Sequence, residues 1–241
     1  MANILFIFEG EKTEKQITDN LTKYFISENS VIQCAYCANI YKLYKEISDD
    51  EDLDTFLLIK ELPNNKEILS KYTSNDFAEI YMFFDYDGHD TIADDKKVSE
   101  LLHFFNEETL KGKLFISYPM VEALKHFSNS MLFEQLKVKA KKNIKYKHLV
   151  STEADKELIQ INKYTKEIWI QLIELHLNKM NFITNDSFSL PIQIISQYEI
   201  FKNQLLKYIN IDSTVAVLSS FPIFIFEYYG QDYIFDLILK K

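Results

Sequence analysis

Three short segments carry side chains whose types and spacing could do chemistry. The first is residues 8–14, FEGEKTE. Glu9 and Glu14 flank Gly10, which permits a tight turn and lets a ligand approach the backbone. An acidic helix N-terminus, favoured by the helix dipole, accounts for the same residues without chemistry. The second is residues 84–90, FDYDGHD, in which Asp85 and Asp87 stand at i and i+2 ahead of His89. Such a pair projects to one side of an extended chain, and hard oxygen donors of this kind suit magnesium or manganese. A solvated acidic loop is the plainer reading. It weakens if Glu9 joins the pair, because three converging carboxylates repel one another unless a cation neutralises them. The third segment is residues 117–127, SYPMVEALKHF, where Glu122, Lys125 and His126 fall on successive turns of a predicted helix. Glu122 could reach a site at a strand end, and His126 could act as a base or bind phosphate. Alternatively, Glu122 and Lys125 form an (i, i+3) pair beside a core-flanking histidine.

Charge narrows the chemistry. The net charge is −9, which argues against a protein that meets polyanions with its whole surface. All 27 basic residues are lysine, so no guanidinium fork is available for bidentate phosphate binding, and lysines, metal ions and backbone amides must serve instead. One basic cluster stands out at residues 137–148, where Lys137, Lys139, Lys141, Lys142, Lys145 and Lys147 accompany Tyr146 and His148. It could track a nucleic-acid backbone and stack a base; a solvated lysine face is the alternative. Cys34 and Cys37 make a lone C-x-x-C without the second ligand pair of a zinc site. They lie in an apolar stretch and are expected as buried thiols.

The elements that must position these groups follow from hydrophobic periodicity. Residues 4–8, 31–38, 79–85 and 113–117 read as four strands, apolar enough to be covered on both faces. Helical spacing covers residues 11–25, 40–47 and 94–108, with a further helical stretch at 53–70 broken at Pro63 and a short helix at 119–127 led by Pro119. An acidic connector occupies 48–54. Alternating strands and helices predict an α/β fold with a parallel four-stranded sheet flanked by helices. Functional groups of such sheets gather beyond the C-terminal strand ends, where Glu9, Glu11, Asp85, Asp87, His89 and Tyr118 fall.

Beyond residue 128 the pattern becomes mainly helical. One long amphipathic helix is expected at 153–180 around Trp169, another at 190–209, and a helix or strand at 222–239. The aromatic segment 221–235 suits core or a homo-oligomer interface. The expected organisation is an α/β catalytic domain over residues 1–128, with a helical region over 129–241 packed on it or forming an appended subdomain. No apolar run approaches the roughly 20 residues that span a bilayer, and nothing reads as a signal peptide, so no membrane association and a cytoplasmic location are expected.

Residues 1–127 resemble the Toprim domain, and within it the RloB-like group and the OLD-family nucleases of antiphage defence. That group shows E-G-x-x-T-E, matched by Glu9, Gly10, Thr13 and Glu14. Its D-x-D followed by an acid or histidine is matched by Asp85, Asp87 and His89, and its N-P-x-x-E segment before His-Phe by Pro119, Glu122, His126 and Phe127. Tyr118 stands where the group usually has Asn, and Tyr86 where Arg is frequent. The resemblance implies a metal-dependent nuclease acting on DNA, tRNA or other RNA. Asp85 and Asp87 would hold one or two Mg2+ or Mn2+ ions, with Glu9 as ligand or general base and Glu122 in the catalytic set. Gly10, Glu14, His89, Lys125 and His126 would support it, and Lys139, Lys141, Lys142, Lys145 and Lys147 would contact nucleic acid. It also implies an antiphage, abortive-infection effector, with an ATPase or sensor protein as a partner. The competing expectation is a non-catalytic protein of the same fold that regulates a separate ATPase or nuclease. A receiver domain also places acids at strand ends, but its phospho-acceptor and lysine positions are not matched.

Overall fold

A computed structural model describes residues 2–26, 30–37, 39–48 and 54–240. Ala38, residues 49–53 of the acidic connector and the expected helix start at Leu53 lie outside the described residues. The chain divides into two compact units, residues 1–85 with 92–115 and residues 86–91 with 116–241. Segments 86–91 and 116–128, expected with the N-terminal domain, therefore group with the C-terminal part.

The first unit contains β1 (Ala2–Phe8), α1 (Thr13–Phe25), β2 (Ser30–Tyr36), α2 (Ile40–Ser48), α3 (Thr55–Glu61), α4 (Lys66–Leu69), β3 (Phe77–Asp85), α5 (Asp95–Phe104), β4 (Asn106–Glu107) and the start of β5 (Gly112–Ser117). The sheet order is β2-β1-β3-β5-β4. β1 pairs in parallel with β2 and β3, while β4 turns back antiparallel on β5. The fold is thus α/β with a mainly parallel sheet, but with five strands instead of the expected four. The additional strand is two exposed polar residues, which offer no apolar run to read. β1 is continuous apolar sequence because residues 4–8 are all buried. Phe83 lies 5.1 Å from Phe6, 5.6 Å from Phe8 and 5.6 Å from Phe115 between ring centres. This aromatic seam ties the central strands together. The break expected at Pro63 falls between α3 and α4, where buried Asn65 fastens the end of β2. Its Nδ2 donates to Tyr36 O (2.7 Å) and Ile59 O (2.8 Å), and its Oδ1 accepts from Tyr36 N (2.8 Å). Cys37 is buried and Cys34 half-buried. Burial pushes the Cys34 thiol up to about 11, so it stays protonated and inert.

The second unit contains β6 (Lys137–Lys139), α6 (Tyr146–Glu153), α7 (Lys156–Ile159), α8 (Lys166–Asn185), α9 (Gln197–Gln204), α10 (Asn210–Asp212), β7 (Thr214–Ala216), α11 (Ser220–Tyr229) and α12 (Gln231–Leu239). The helix expected from 153 begins at Lys166, because the Thr165 hydroxyl caps the Ile168 amide at 3.4 Å. The helix expected from 190 begins at Gln197, capped by Ser196 Oγ on Glu199 N at 3.2 Å. Residues 222–239 form two helices separated at Gly230, whose φ of 79° suits glycine. α11 is apolar on every side because it is interior: Phe221, Ile223, Phe224, Ile225 and Phe226 are buried, and the helix packs on α8. The antiparallel pair β6–β7 was not expected, since two of the three β6 residues are exposed lysines. Gln204 completes its edge, donating from Nε2 to Ala216 O and accepting from Ala216 N at Oε1 (2.8 and 2.9 Å). Among the described residues no helix is long and apolar enough to cross a membrane.

Candidate functional site

In the first unit the Glu9 side chain meets the backbone at the end of β3. Half-buried Glu9 follows β1, and its Oε2 accepts from the backbone amide of Asp85, the buried last residue of β3, at 3.3 Å. Gly10 N donates to Glu14 Oε1 at 3.2 Å. A Cβ on Gly10 would fall 2.7 Å from that same oxygen. Glu14 is therefore a brace inside the turn, and Gly10 is the residue that leaves room for it.

The second unit assembles the remaining acids. Asp87 has φ 41°, so strand alternation ends at Asp85 and does not govern where Asp87 points. Tyr86 is fully buried against Tyr118 and Phe201, with ring centres 5.8 and 6.1 Å away. A Cβ on Gly88 would lie 2.5 Å from Tyr86 Cε1. The D-Y-D-G run thus wraps its backbone over a tyrosine anchor. The Asp87 amide donates to Pro119 O at 3.3 Å. The helix expected at Pro119 starts later, as a single 3-10 turn over Val121–Lys125. Because i and i+3 eclipse in such a turn, Glu122 and Lys125 share one face.

Among the described residues, Asp87 and Glu122 are carboxylates left partly unsatisfied in this unit. Asp87 Oδ1 is buried and, among the described residues, accepts no hydrogen bond; the ring nitrogen His89 Nδ1 lies 3.6 Å from it. Glu122 is 3% exposed, with Oε1 3.5 Å from Lys147 Nζ and Oε2 buried without a hydrogen bond. Burial pushes the Asp87 carboxyl above its usual range; Asp90 and Glu122 add to this, while His89 and Lys147 oppose it. Burial also lowers Lys125, opposed by Glu122 and reinforced by Lys147. Asp87, Glu122, Lys125 and Lys147 therefore form one electrostatic set. Among the described residues no group of three or more His, Cys, Asp or Glu side chains is arranged to hold a metal ion. Magnesium commonly takes only one or two carboxylates, filling its remaining positions with water and substrate phosphate. Asp87 Oδ1 and Glu122 Oε2 are the buried acceptors that such a mode would draw on.

The other candidates separate by their partners. His126 is fully buried, with Nδ1 2.9 Å from Tyr146 Oη and Nε2 3.0 Å from Glu153 Oε2. Both ring nitrogens are engaged, so His126 holds α6 in place and is not poised as a base. Lys137 and Lys139 bind Asp212 through its carboxylate and its carbonyl (2.7 and 2.9 Å). Lys141 lies 5.4 Å from the Tyr86 ring centre. Exposed Lys142 and Lys145 have no carboxylate in ion-pair range among the described residues. A cavity of about 310 Å3 opens beside them, lined in part by His89, Met120, Ile144, Tyr146 and Lys147. Sequence reasoning missed this cavity and the Glu122–Lys147 pair, which joins positions 25 apart. The available signal was the apolar residues Ala140 and Ile144 set among lysines.

No protein-family model matches the chain, and no curated protein or solved structure matches it significantly.

Proposed function

We propose that this chain is a metal-dependent nuclease that hydrolyses phosphodiester bonds of DNA, tRNA or other RNA, and that it acts as the effector of an antiphage, abortive-infection defence with an ATPase or sensor partner. The observation that carries this reading is the pair of buried carboxylate oxygens without donors, Asp87 Oδ1 and Glu122 Oε2, beside Lys147. An unsatisfied buried acceptor costs about 1–3 kcal/mol, and a cation offsets that cost. Magnesium or manganese held by Asp87 and Glu122 would activate water and stabilise charge developing on the phosphodiester. Lys147 and half-buried Lys125 bring point positive charge to the phosphate oxygens, the role that arginine fills elsewhere. His89 Nδ1 lies 3.6 Å from the Asp87 carboxylate. Glu9 and Asp85 enter this reading through the resemblance to Toprim proteins.

Calorimetric titration of Mg2+ and Mn2+ tests the proposal on the wild type, Asp87→Asn and Glu122→Gln, alongside cleavage of labelled DNA and RNA. Binding by the wild type that both variants lose, with cleavage lost in parallel, is the expected result. Cleavage at equal rates in all three proteins would refute the assignment. So would the absence of metal binding with oligonucleotide present.

A further inference from the structure

We infer that the cavity lined by Met120, Ile144 and Tyr146 together with Lys142, Lys145 and Lys147 receives one unstacked nucleotide, so that the polymer recognised is single-stranded or locally unpaired. This rests on the nuclease reading of the adjoining acids and names the substrate class of that site. Three independent observations support it. First, the cavity volume of about 310 Å3 lies at the small end of ligand sites, roughly 300–1,000 Å3. That is room for one nucleotide and not for a stacked base pair. Second, its lining joins the less exposed Met120, Ile144 and Tyr146 with the exposed Lys142, Lys145 and Lys147, the combination that takes a base face on apolar and aromatic side chains and phosphates on ammonium groups. Lys142 and Lys145 are uncommitted, in a chain of net charge −9 whose neighbouring lysines 137 and 139 are already tied to Asp212. Third, α6 points its N-terminal turn at the cavity: residues 145–148 line it, Lys145 offers no side-chain cap, and the first turn carries no acid. An anion is thus favoured there by the helix dipole and the lysines together.

Lys147 and His89 connect the two features. Lys147 lies 3.5 Å from Glu122 Oε1 and also lines the cavity, while His89 lines it from its place beside Asp87. A nucleotide seated in the cavity would therefore bring its own phosphate to the Asp87–Glu122 pair.

The test is fluorescence anisotropy in EDTA, which separates binding from cleavage. The probes are a fluorescein-labelled single strand of about 12 nucleotides and the blunt duplex of the same sequence. The single strand is expected to bind about tenfold or more tighter than the duplex, in keeping with the energy of seating one base. Ile144→Trp, which fills the cavity, should abolish that preference. Lys142→Glu with Lys145→Glu, two exposed positions that leave the fold intact, should weaken single-strand binding by a similar factor. Equal affinity for the two probes overturns the inference. So does binding of neither probe, or a preference that survives both variants. If the preference is found and the wild type cleaves nothing under any metal condition, the pocket stands and the nuclease reading falls.

Discussion

Glu122 and Lys147 form an asymmetric pair: one carboxylate oxygen lies 3.5 Å from the ammonium, while the other is buried with no donor. The side chain of the acid is 4% exposed and that of the lysine 66%. The buried partner therefore depends on an exposed one. Lys147→Met should cost about 1–3 kcal/mol, since it removes the ammonium 3.5 Å from a buried carboxylate and leaves Lys125 as the remaining lysine of the set. Adding Glu122→Gln should recover most of that loss. Urea denaturation of the two single variants and the double variant gives the coupling; additive losses would show that the pair is not one unit.

Asp87 carries a stability cost that can be measured. Its folded pKa is raised by burial, with Asp90 and Glu122 adding to it. A raised folded value means that stability is fully present below the unfolded pKa and is lost as pH rises through the folded one. Asp87→Asn should therefore stabilise the metal-free protein at neutral pH by about 1 kcal/mol, the range of a relieved buried acceptor. The advantage should disappear below about pH 4, the ordinary aspartate range. Thermal melts in chelator across that range read it directly, and a variant less stable than wild type at pH 7 would contradict the assignment.

The two glycines of the acidic turns should respond differently to alanine. At Gly88 the new Cβ meets the buried Tyr86 ring at 2.5 Å, which cannot yield without disturbing Tyr118 and Phe201. About 2–3 kcal/mol of destabilisation is expected there, as for core overpacking. At Gly10 the obstacle is the carboxylate end of Glu14, which can swing away, so Gly10→Ala should cost about 1 kcal/mol through its lost hydrogen bond. Chemical denaturation of both variants ranks them.

Lys179 is a buried lysine that the motif reading did not anticipate. Its ammonium donates to the carbonyls of Phe133 (2.9 Å), Glu134 (2.6 Å) and Leu136 (3.0 Å). Burial lowers it to about 7, with Glu134 opposing. The three carbonyls also favour the charged form, and they would be left without their donor in Lys179→Met. A loss of about 3 kcal/mol is expected, from orphaned acceptors more than from lost packing. Equal stability of the variant would show that the carbonyls find other donors.

Acid should weaken the second unit through His176. The residue is fully buried, its Nδ1 accepts from Ser219 N at 3.1 Å, and burial lowers its pKa to about 3. A depressed folded pKa gives stability that is complete above the unfolded value near 6.5 and is lost as pH falls toward the folded one. Urea midpoints should decline from about pH 6 to pH 3, with a slope from this proton approaching 1.4 kcal/mol per pH unit. His176→Gln should flatten the decline, with the contribution of His126, lowered by burial in the same direction, still present.

The sequence by itself determined the alternation of apolar strands and amphipathic helices, and with it a mainly parallel sheet carrying Glu9 and Asp85 at its strand ends. Those features are local: a strand covered on both faces must be apolar along its length, and polar residues just past it stand at its end. The parts it left open are those where short polar pieces gain structure from distant partners. β4 and β6 have too few apolar residues to register, and the starts of α8 and α9 rest on single hydroxyl caps that periodicity does not weigh. Only the tertiary structure decided that Glu14 is a turn brace, that His126 is spent on Tyr146 and Glu153, and that Glu122 answers to Lys147. A carboxylate or an imidazole has the same letter whether its lone pairs are satisfied or not. What distinguishes a structural acid from an available one is burial together with the donors within hydrogen-bond reach, and those donors come from residues remote in the chain.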